Sequence, residues 1–289
     1  MKLGIGTIQF GLAYGISNKE GQVAFDDGKK ILSLAAETNI SVLDTANSYG
    51  LSEEALGRLI SENHKFKIIT KTPKFLKGSA ENLERAFCDS LLKLKQRDVY
   101  GLLVHRTDDL FEKDGEQLWQ KMVELKKRGL VKKIGVSVYD SNQLDMVLNK
   151  YPIDLVQLPV NLFDQRLVNN GYLKKLKKLN VEIHARSIFL QGLLLMKTEE
   201  LSSFFDSLHE HFKKYHFFLK DNEITSLEAS LDFVLKIKEI DCVLVGVCSA
   251  KQLNDILFVT MNSFAKEINY SCLEYHDELI LNPSLWKQD

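Results

Sequence analysis

Eight short apolar runs, each followed by a longer segment of helical period, constrain this chain more than any other feature. The runs are KLGIGT (2–7), SVLDTA (41–46), KIITKT (67–72), VYGLLVH (99–105), KKIGVSV (132–138), DLVQLPV (154–160), VEIHARS (181–187) and CVLVGV (242–247). Between them lie amphipathic stretches such as DDGKKILSLAAETN (26–39), SAENLERAFCDSLLKLK (79–95) and GEQLWQKMVELKKRG (115–129). These place apolar residues at i, i+3, i+4 and i+7, the signature of a helix with one buried face. Runs of Val, Ile and Leu suit strands covered on both sides, as in a parallel sheet. Right-handed crossovers then close eight such units into a (β/α)8 barrel. Asp26, Ser52, Ser79, Ser141 and Ser249 are candidate helix caps.

The competing fold is a doubly wound open sheet. It predicts a GxGxxG turn that opens a helix after an early strand. The first run continues as GIGTIQFG, which lacks that spacing and opens no helix at once. A chain of 289 residues fits one barrel domain, residues 1–289, and no linker interrupts it. Two segments exceed the simple repeat. Residues 8–24 follow the first strand, and residues 188–224 follow the seventh and contain the helical pattern LSSFFDSLHEHFKKYHFFLK. Both fall on the C-terminal face of the barrel, where sites are built.

The net charge of −1 gives no global field for nucleic acid or an anionic membrane. The basic run YLKKLKKLN (172–180) has helical spacing and reads as a solvated helix face. Cys88, Cys242, Cys248 and Cys272 form no CxxC pair and read as buried reduced thiols rather than metal ligands. The N-terminal MKLGIGTIQFG has no signal-peptide pattern, and no apolar run reaches spanning length. A monomeric cytoplasmic protein is expected, with no metal and no nucleic-acid or membrane partner.

Several predicted strands end in a polar residue. Asp44 ends the second, Lys71 the third, His105 the fourth, and Gln157 to Asn161 the sixth; Tyr49 lies just past the second. Singly each has an ordinary structural explanation, such as a turn hydrogen bond for Asp44 or a packed ring for Tyr49. Together they converge on one mouth of one barrel. A Tyr hydroxyl is a weak acid, and a nearby ammonium stabilises its phenolate. A carboxylate beside the Lys keeps that ammonium charged, and a His can orient a carbonyl or relay a proton. The set suits proton donation to a carbonyl oxygen or alkoxide.

The stretch DTANSYGLSEEALG (44–57), followed in order by IITKT, LLVHR, IGVS, VQLPVN and a GLL loop after the seventh strand, resembles the aldo-keto reductases. The resemblance runs from Gly4 to about Leu257. It implies a (β/α)8 barrel that uses NADPH, or NADH, to reduce a small-molecule aldehyde or ketone. It implies Tyr49 as general acid, with Asp44, Lys71 and His105 completing a tetrad. It also implies a cofactor site drawn from Gly6, Thr7, Asp44, Ser137, Gln157, Arg186, Ser187, Leu190, Gly192, Ser249, Lys251, Gln252 and Asp255.

The chain departs from the family pattern in that site. Val138 stands where an Asn follows the fifth-strand Ser. Arg186 stands where a Tyr stacks on the nicotinamide, and Ile188 replaces a Pro. Gln252 holds a position often occupied by Arg, which leaves Lys251 as the cation of GVCSAKQLNDIL (246–257) for a 2′-phosphate. A guanidinium plane can still stack on an aromatic ring. A cation there repels an oxidised nicotinamide, which favours the reduced form.

Two other functions use the same barrel. Lys71 could form a Schiff base in an aldolase or lyase. A non-catalytic barrel could bind a nucleotide as a sensor. The loops at 8–24, 106–114 and 188–224 would choose the substrate.

Overall fold

The computed structural model describes residues 1–60, 66–73, 80–262 and 267–286. Eight parallel strands close into a barrel in sequence order. They are β1 (Leu3–Gly6), β2 (Val42–Asp44), β3 (Lys67–Lys71), β4 (Val99–Val104), β5 (Val131–Ser137), β6 (Leu155–Pro159), β7 (Glu182–Arg186) and β8 (Cys242–Gly246). The seam pairs β1 with β8 in the register Leu3↔Val243 to Gly6↔Gly246. Every strand but β5 lies within the apolar run that predicts it; β5 begins one residue earlier, at Val131.

Among the described residues, eleven α-helices occur in chain order: α1 (Phe25–Glu37), α2 (Ser52–Leu59), α3 (Ala80–Leu94), α4 (Gly115–Lys127), α5 (Ser141–Leu148), α6 (Arg166–Asn169), α7 (Tyr172–Lys178), α8 (His209–Asp221), α9 (Ser226–Lys236), α10 (Ala250–Met261) and α11 (Glu278–Leu281). Their starts correct most of the proposed caps. Ala24 precedes α1, so Asp26 is a first-turn acid that complements the helix dipole. Asp140, not Ser141, caps α5 by accepting from Gln143 N. Ser52 is the first residue of α2, and its hydroxyl turns inward. Ser249 does cap α10, accepting from Gln252 N. The Ser79 assignment lies outside the described residues.

Three apolar clusters hold the molecule. The largest lies between the barrel and its outer helices and includes Ile31, Leu56, Phe87, Trp119, Leu144, Leu176 and Leu253. A small cluster of Val42, Ile69, Leu103, Leu155, Cys242 and Leu244 fills the barrel itself. The third sits apart from both. Phe163, Leu193, Phe205, Phe212 and Tyr215 pack there with Tyr270, Leu273 and Trp286, so residues 267–286 cover the insertion after β7. Phe163 is ringed by His211, Phe212, Tyr215 and Tyr275 at centroid separations of 4.8–6.3 Å.

The remaining surface expectations divide. Lys175 and Lys177 of α7 are solvated and pair with Asp145 and Asp241. Of the four free cysteines only Cys242 is buried; Cys88 and Cys272 are exposed and Cys248 is half-buried. The reading of all four as buried thiols is thereby corrected: Cys88 lies on the outer face of α3, and Cys272 on a turn of the tail. No described helix is long and apolar enough to cross a membrane.

Candidate active site

The C-terminal ends of the strands open into a cleft of about 1100 Å³. Asp44 closes β2 and Lys71 closes β3, and both are buried. Lys71 Nζ donates to both carboxylate oxygens of Asp44 at 2.7 Å and to Thr45 O at 3.0 Å. It also lies 3.3 Å from the Tyr49 hydroxyl and 4.9 Å from that ring's centroid. His105 follows β4 directly; its ring meets Tyr49 edge-on at 5.8 Å, and its Nδ1 is 3.1 Å from Ser48 Oγ. The four side chains named from strand ends therefore meet at the cleft floor.

Tyr49 is held by backbone, not only by its neighbours. A Cβ on Gly11 would lie 1.9 Å from Tyr49 O, and Gly50 takes a left-handed φ of +56° against Gly11 O. Only glycines allow the loops after β1 and β2 to approach this closely. Thr7 adds a second tie. Its hydroxyl donates to Asp44 O at 2.9 Å and lies 2.8 Å from Ser52 Oγ.

The electrostatics of the floor follow from burial. Burial pulls the Lys71 ammonium below its ordinary value, and the Asp44 carboxylate opposes that pull. The Tyr49 phenol is pushed up, first by burial and then by Asp44, while Arg186 acts the other way. A lowered phenol is thus not what the resting site has. The Asp44 carboxylate, bonded to Lys71, offsets the ammonium at the resting, protonated phenol. Burial, helped by the Lys71 and Arg186 cations, lowers His105 to about 3, so its imidazole is neutral at physiological pH.

Glu182, His184 and Arg186 share the inner face of β7. Arg186, at the upper end, lines the cleft. Its guanidinium lies 4.2 Å from the Tyr139 ring centroid. It donates to Val138 O at 2.9 Å and to Ser187 Oγ at 3.2 Å, and its Nε is buried with no partner.

The other residues proposed for a cofactor divide. Gly6, Ser137, Ser187, Gly192, Gln252 and Asp255 line the cleft. Gln157 is fully buried; its Nε2 donates to Asp44 and its Oε1 has no partner. Thr7 and Leu190 do not line the cleft: the Thr7 hydroxyl is engaged as above, and Leu190 belongs to the third apolar cluster. Lys251 is 83% exposed and bonds Asp255 at 2.8 Å, turned away from the cleft lining. Gln252 accepts from Cys248 N at 2.7 Å. The reading of the strand ends missed Tyr14, Tyr139 and Trp286, which also line the cleft. Tyr139 lies two residues past Ser137, so its place beside the mouth was available from the end of β5; nothing local marks Trp286.

The two insertions meet above the cleft. Ile16 N donates to Gln191 O at 3.1 Å, and a Cβ on Gly192 would lie 1.8 Å from Ser17 Oγ. Ser187, Leu190, Gln191 and Gly192 all have positive φ, which coils the chain tightly after β7.

Among the described residues no group of three or more His, Cys, Asp or Glu side chains could hold a metal ion. Residues 2–272 match the model of the Aldo/keto reductase family. The Aldo-keto reductase YhdN of Bacillus subtilis is 30% identical over 194 residues, 63% of this chain and 58% of that protein. The uncharacterized oxidoreductase YqkF of the same organism is 26% identical over 250 residues, 78% of this chain and 79% of its own. A solved structure, aldo-keto reductase AKR11C1 from Bacillus halodurans in its holo form, superposes with a TM-score of 0.76. It covers 96% of this chain and 94% of its own at 19% identity, a likeness of fold.

Proposed function

Because this chain belongs to the aldo/keto reductase family, we propose that it reduces an aldehyde or ketone with a nicotinamide cofactor, Tyr49 supplying the proton. One observation carries the reading. The Tyr49 hydroxyl accepts from Lys71, and its own proton is left undirected at the floor of an open cleft. The cofactor, when bound, supplies a hydride to the carbonyl carbon. Tyr49 then donates its proton to the carbonyl oxygen as charge develops there. Lys71, anchored by Asp44, stabilises the resulting phenolate. With the Ser48 hydroxyl donating to Nδ1, the neutral His105 carries its proton on Nε2 and orients the carbonyl oxygen.

The residues present suit a nicotinamide nucleotide. The Arg186 guanidinium lines the cleft and suits a carboxamide oxygen, while Gln157, buried beneath the floor, bonds Asp44. Ser137 and Ser187 add hydroxyls at the cleft wall. The start of α10, with Cys248 and Gln252 on the cleft, suits a phosphate at a helix N-terminus. NADPH is the proposed cofactor, with a narrow margin over NADH because Lys251 is held by Asp255.

The Schiff-base alternative is disfavoured by geometry. The Lys71 ammonium is shared among Asp44, Thr45 and Tyr49, and a Schiff base would need it released from these partners as a free amine. Turnover is tested by loss of dihydronicotinamide absorbance with a set of aldehydes and ketones. Absence of any turnover with a correctly folded protein that binds the cofactor would leave a sensor barrel as the better reading.

A further inference from the structure

The charges around the cleft floor do not cancel. Asp44 and Lys71 neutralise each other through two short bonds. Asp255 is paired with Lys251. His105 is neutral, and Tyr14 and Tyr49 are pushed up by burial and stay protonated. Arg186 remains. Among the described residues it has hydrogen bonds to a backbone carbonyl and a hydroxyl, and no carboxylate within ion-pair distance. Its charge is permanent, since a guanidinium does not deprotonate in proteins. It is also fixed in place, stacked on Tyr139 and tethered to the first residue of the left-handed loop.

A half-buried cation without a counter-ion acts strongly on charge that appears beside it. Its reach includes the reacting groups, because it depresses His105 and opposes the upward push on Tyr49. We propose that Arg186 makes this cleft discriminate between redox states of the cofactor, holding the reduced nicotinamide and rejecting the oxidised, cationic one. The inference rests on the reductase reading. The two redox forms share adenine, ribose and phosphates, so every contact to those parts cancels in the ratio of their affinities. What differs is one positive charge on the ring. When turnover converts the neutral ring to a cation, it meets a repulsion that was absent before, and the oxidised form leaves faster.

The test is equilibrium binding without substrate. Dissociation constants for NADPH, NADP+, NADH and NAD+ are measured by calorimetry on the full chain at fixed salt. The wild type is expected to bind each reduced form at least about tenfold tighter than its oxidised partner, the equivalent of about 1.4 kcal/mol. Arg186→Gln, which keeps hydrogen-bonding capacity and removes the charge, is expected to bring the ratio within roughly threefold of unity, under about 0.7 kcal/mol. Arg186→Lys keeps the charge and is expected to retain most of the discrimination. A wild-type ratio near one overturns the inference without any variant, so a poorly folding Arg186→Gln does not rescue it. An unchanged ratio in Arg186→Gln overturns it as well. Failure of the wild type to bind any of the four nucleotides removes the reductase reading, and this inference with it.

Discussion

The two ends of the barrel each carry a Tyr, a Lys, a His and a carboxylate and do different things with them. At the upper end stand Tyr49, Lys71, Asp44 and His105. At the lower end stand Tyr100, Lys133, Glu182 and His184. There the Tyr100 hydroxyl donates to Glu182 Oε2 at 2.7 Å, Lys133 bonds the same carboxylate, and His184 Nε2 lies 2.7 Å from Oε1. Burial alone would raise Glu182, but these three partners together hold it well below the usual carboxylate range. The lower tyrosine has its proton committed to a carboxylate. The upper one receives a hydrogen bond from Lys71 and keeps its proton for something else. Composition is therefore no guide to chemistry here; the direction of one hydroxyl and the presence of a cleft are.

The largest expected effect separates the two tyrosines. Tyr49→Phe should lower carbonyl reduction by about two to four orders of magnitude, the range for loss of a general acid, with its melting temperature little changed. Tyr100→Phe should leave turnover intact and cost about 1 kcal/mol in urea unfolding, a charge-assisted hydrogen bond discounted for partial exposure. Near-normal turnover in the first variant would remove the distinction between the two ends.

The lysines sharpen it next. Lys71→Met leaves Asp44 buried without its partner and should cost about 3–5 kcal/mol of stability, together with all measurable turnover. Lys133→Met, at a half-buried position, should cost far less and keep activity. Borohydride treatment of wild type with a carbonyl substrate should leave Lys71 unmodified by mass spectrometry; an adduct there would restore the Schiff-base reading.

The two ends should also separate along the pH axis. His105 falls from 6.5 in the unfolded chain to about 3 when folded, so the unfolded state binds the extra proton between these values. Stability is then complete above about 6.5 and declines as pH falls. Half-buried His211 and His216, also lowered, add to that slope. Glu182 is depressed from 4.5, so its contribution is complete above about 4.5 and is lost only below it. His105→Gln should flatten the upper window of a melting-temperature profile, and Glu182→Gln the lower one. A profile in which either variant alters both windows equally would show that the ends are coupled.

The smallest expected effect concerns the cofactor rim. Lys251 is exposed and already paired, so Lys251→Ala should change the NADPH to NADH affinity ratio by less than about threefold, well under 1 kcal/mol. A larger shift in side-by-side titrations would mean that Lys251 leaves Asp255 when the 2′-phosphate arrives.

How much of this was legible in the sequence depends on the range of the interaction. The strands were legible because a doubly covered strand is a short run of β-branched residues whatever it packs against. Asp44, Lys71 and His105 were legible because each ends or immediately follows such a run. The lower network was not. Tyr100, Lys133 and Glu182 sit on three different strands, and nothing in the residues around each announces the others. Leu190 was misplaced for a backbone reason: Ser187, Leu190 and Gln191 enter left-handed conformations without the Gly or Asn that usually signals them. The part played by residues 267–286 was invisible because their partners lie far back in the chain, in the loop after β6 and the insertion after β7. Gln165 Nε2, for instance, bonds Tyr270 O 105 positions away.

That last contact has a consequence for how the protein is made. Asp44, Tyr49, Lys71 and His105 all precede β5, yet the ring cannot shut until β8 is made and pairs with β1. Even then the roof is incomplete. Trp286 meets Phe205 edge-on at 5.0 Å and lines the cleft, and it follows β8 in the chain. A nascent chain thus holds its chemical groups long before it can shelter them from water. Residues 267–286 act as a clasp on the closed barrel, and a chain cut short after β8 holds its candidate chemical groups in place with part of its roof missing.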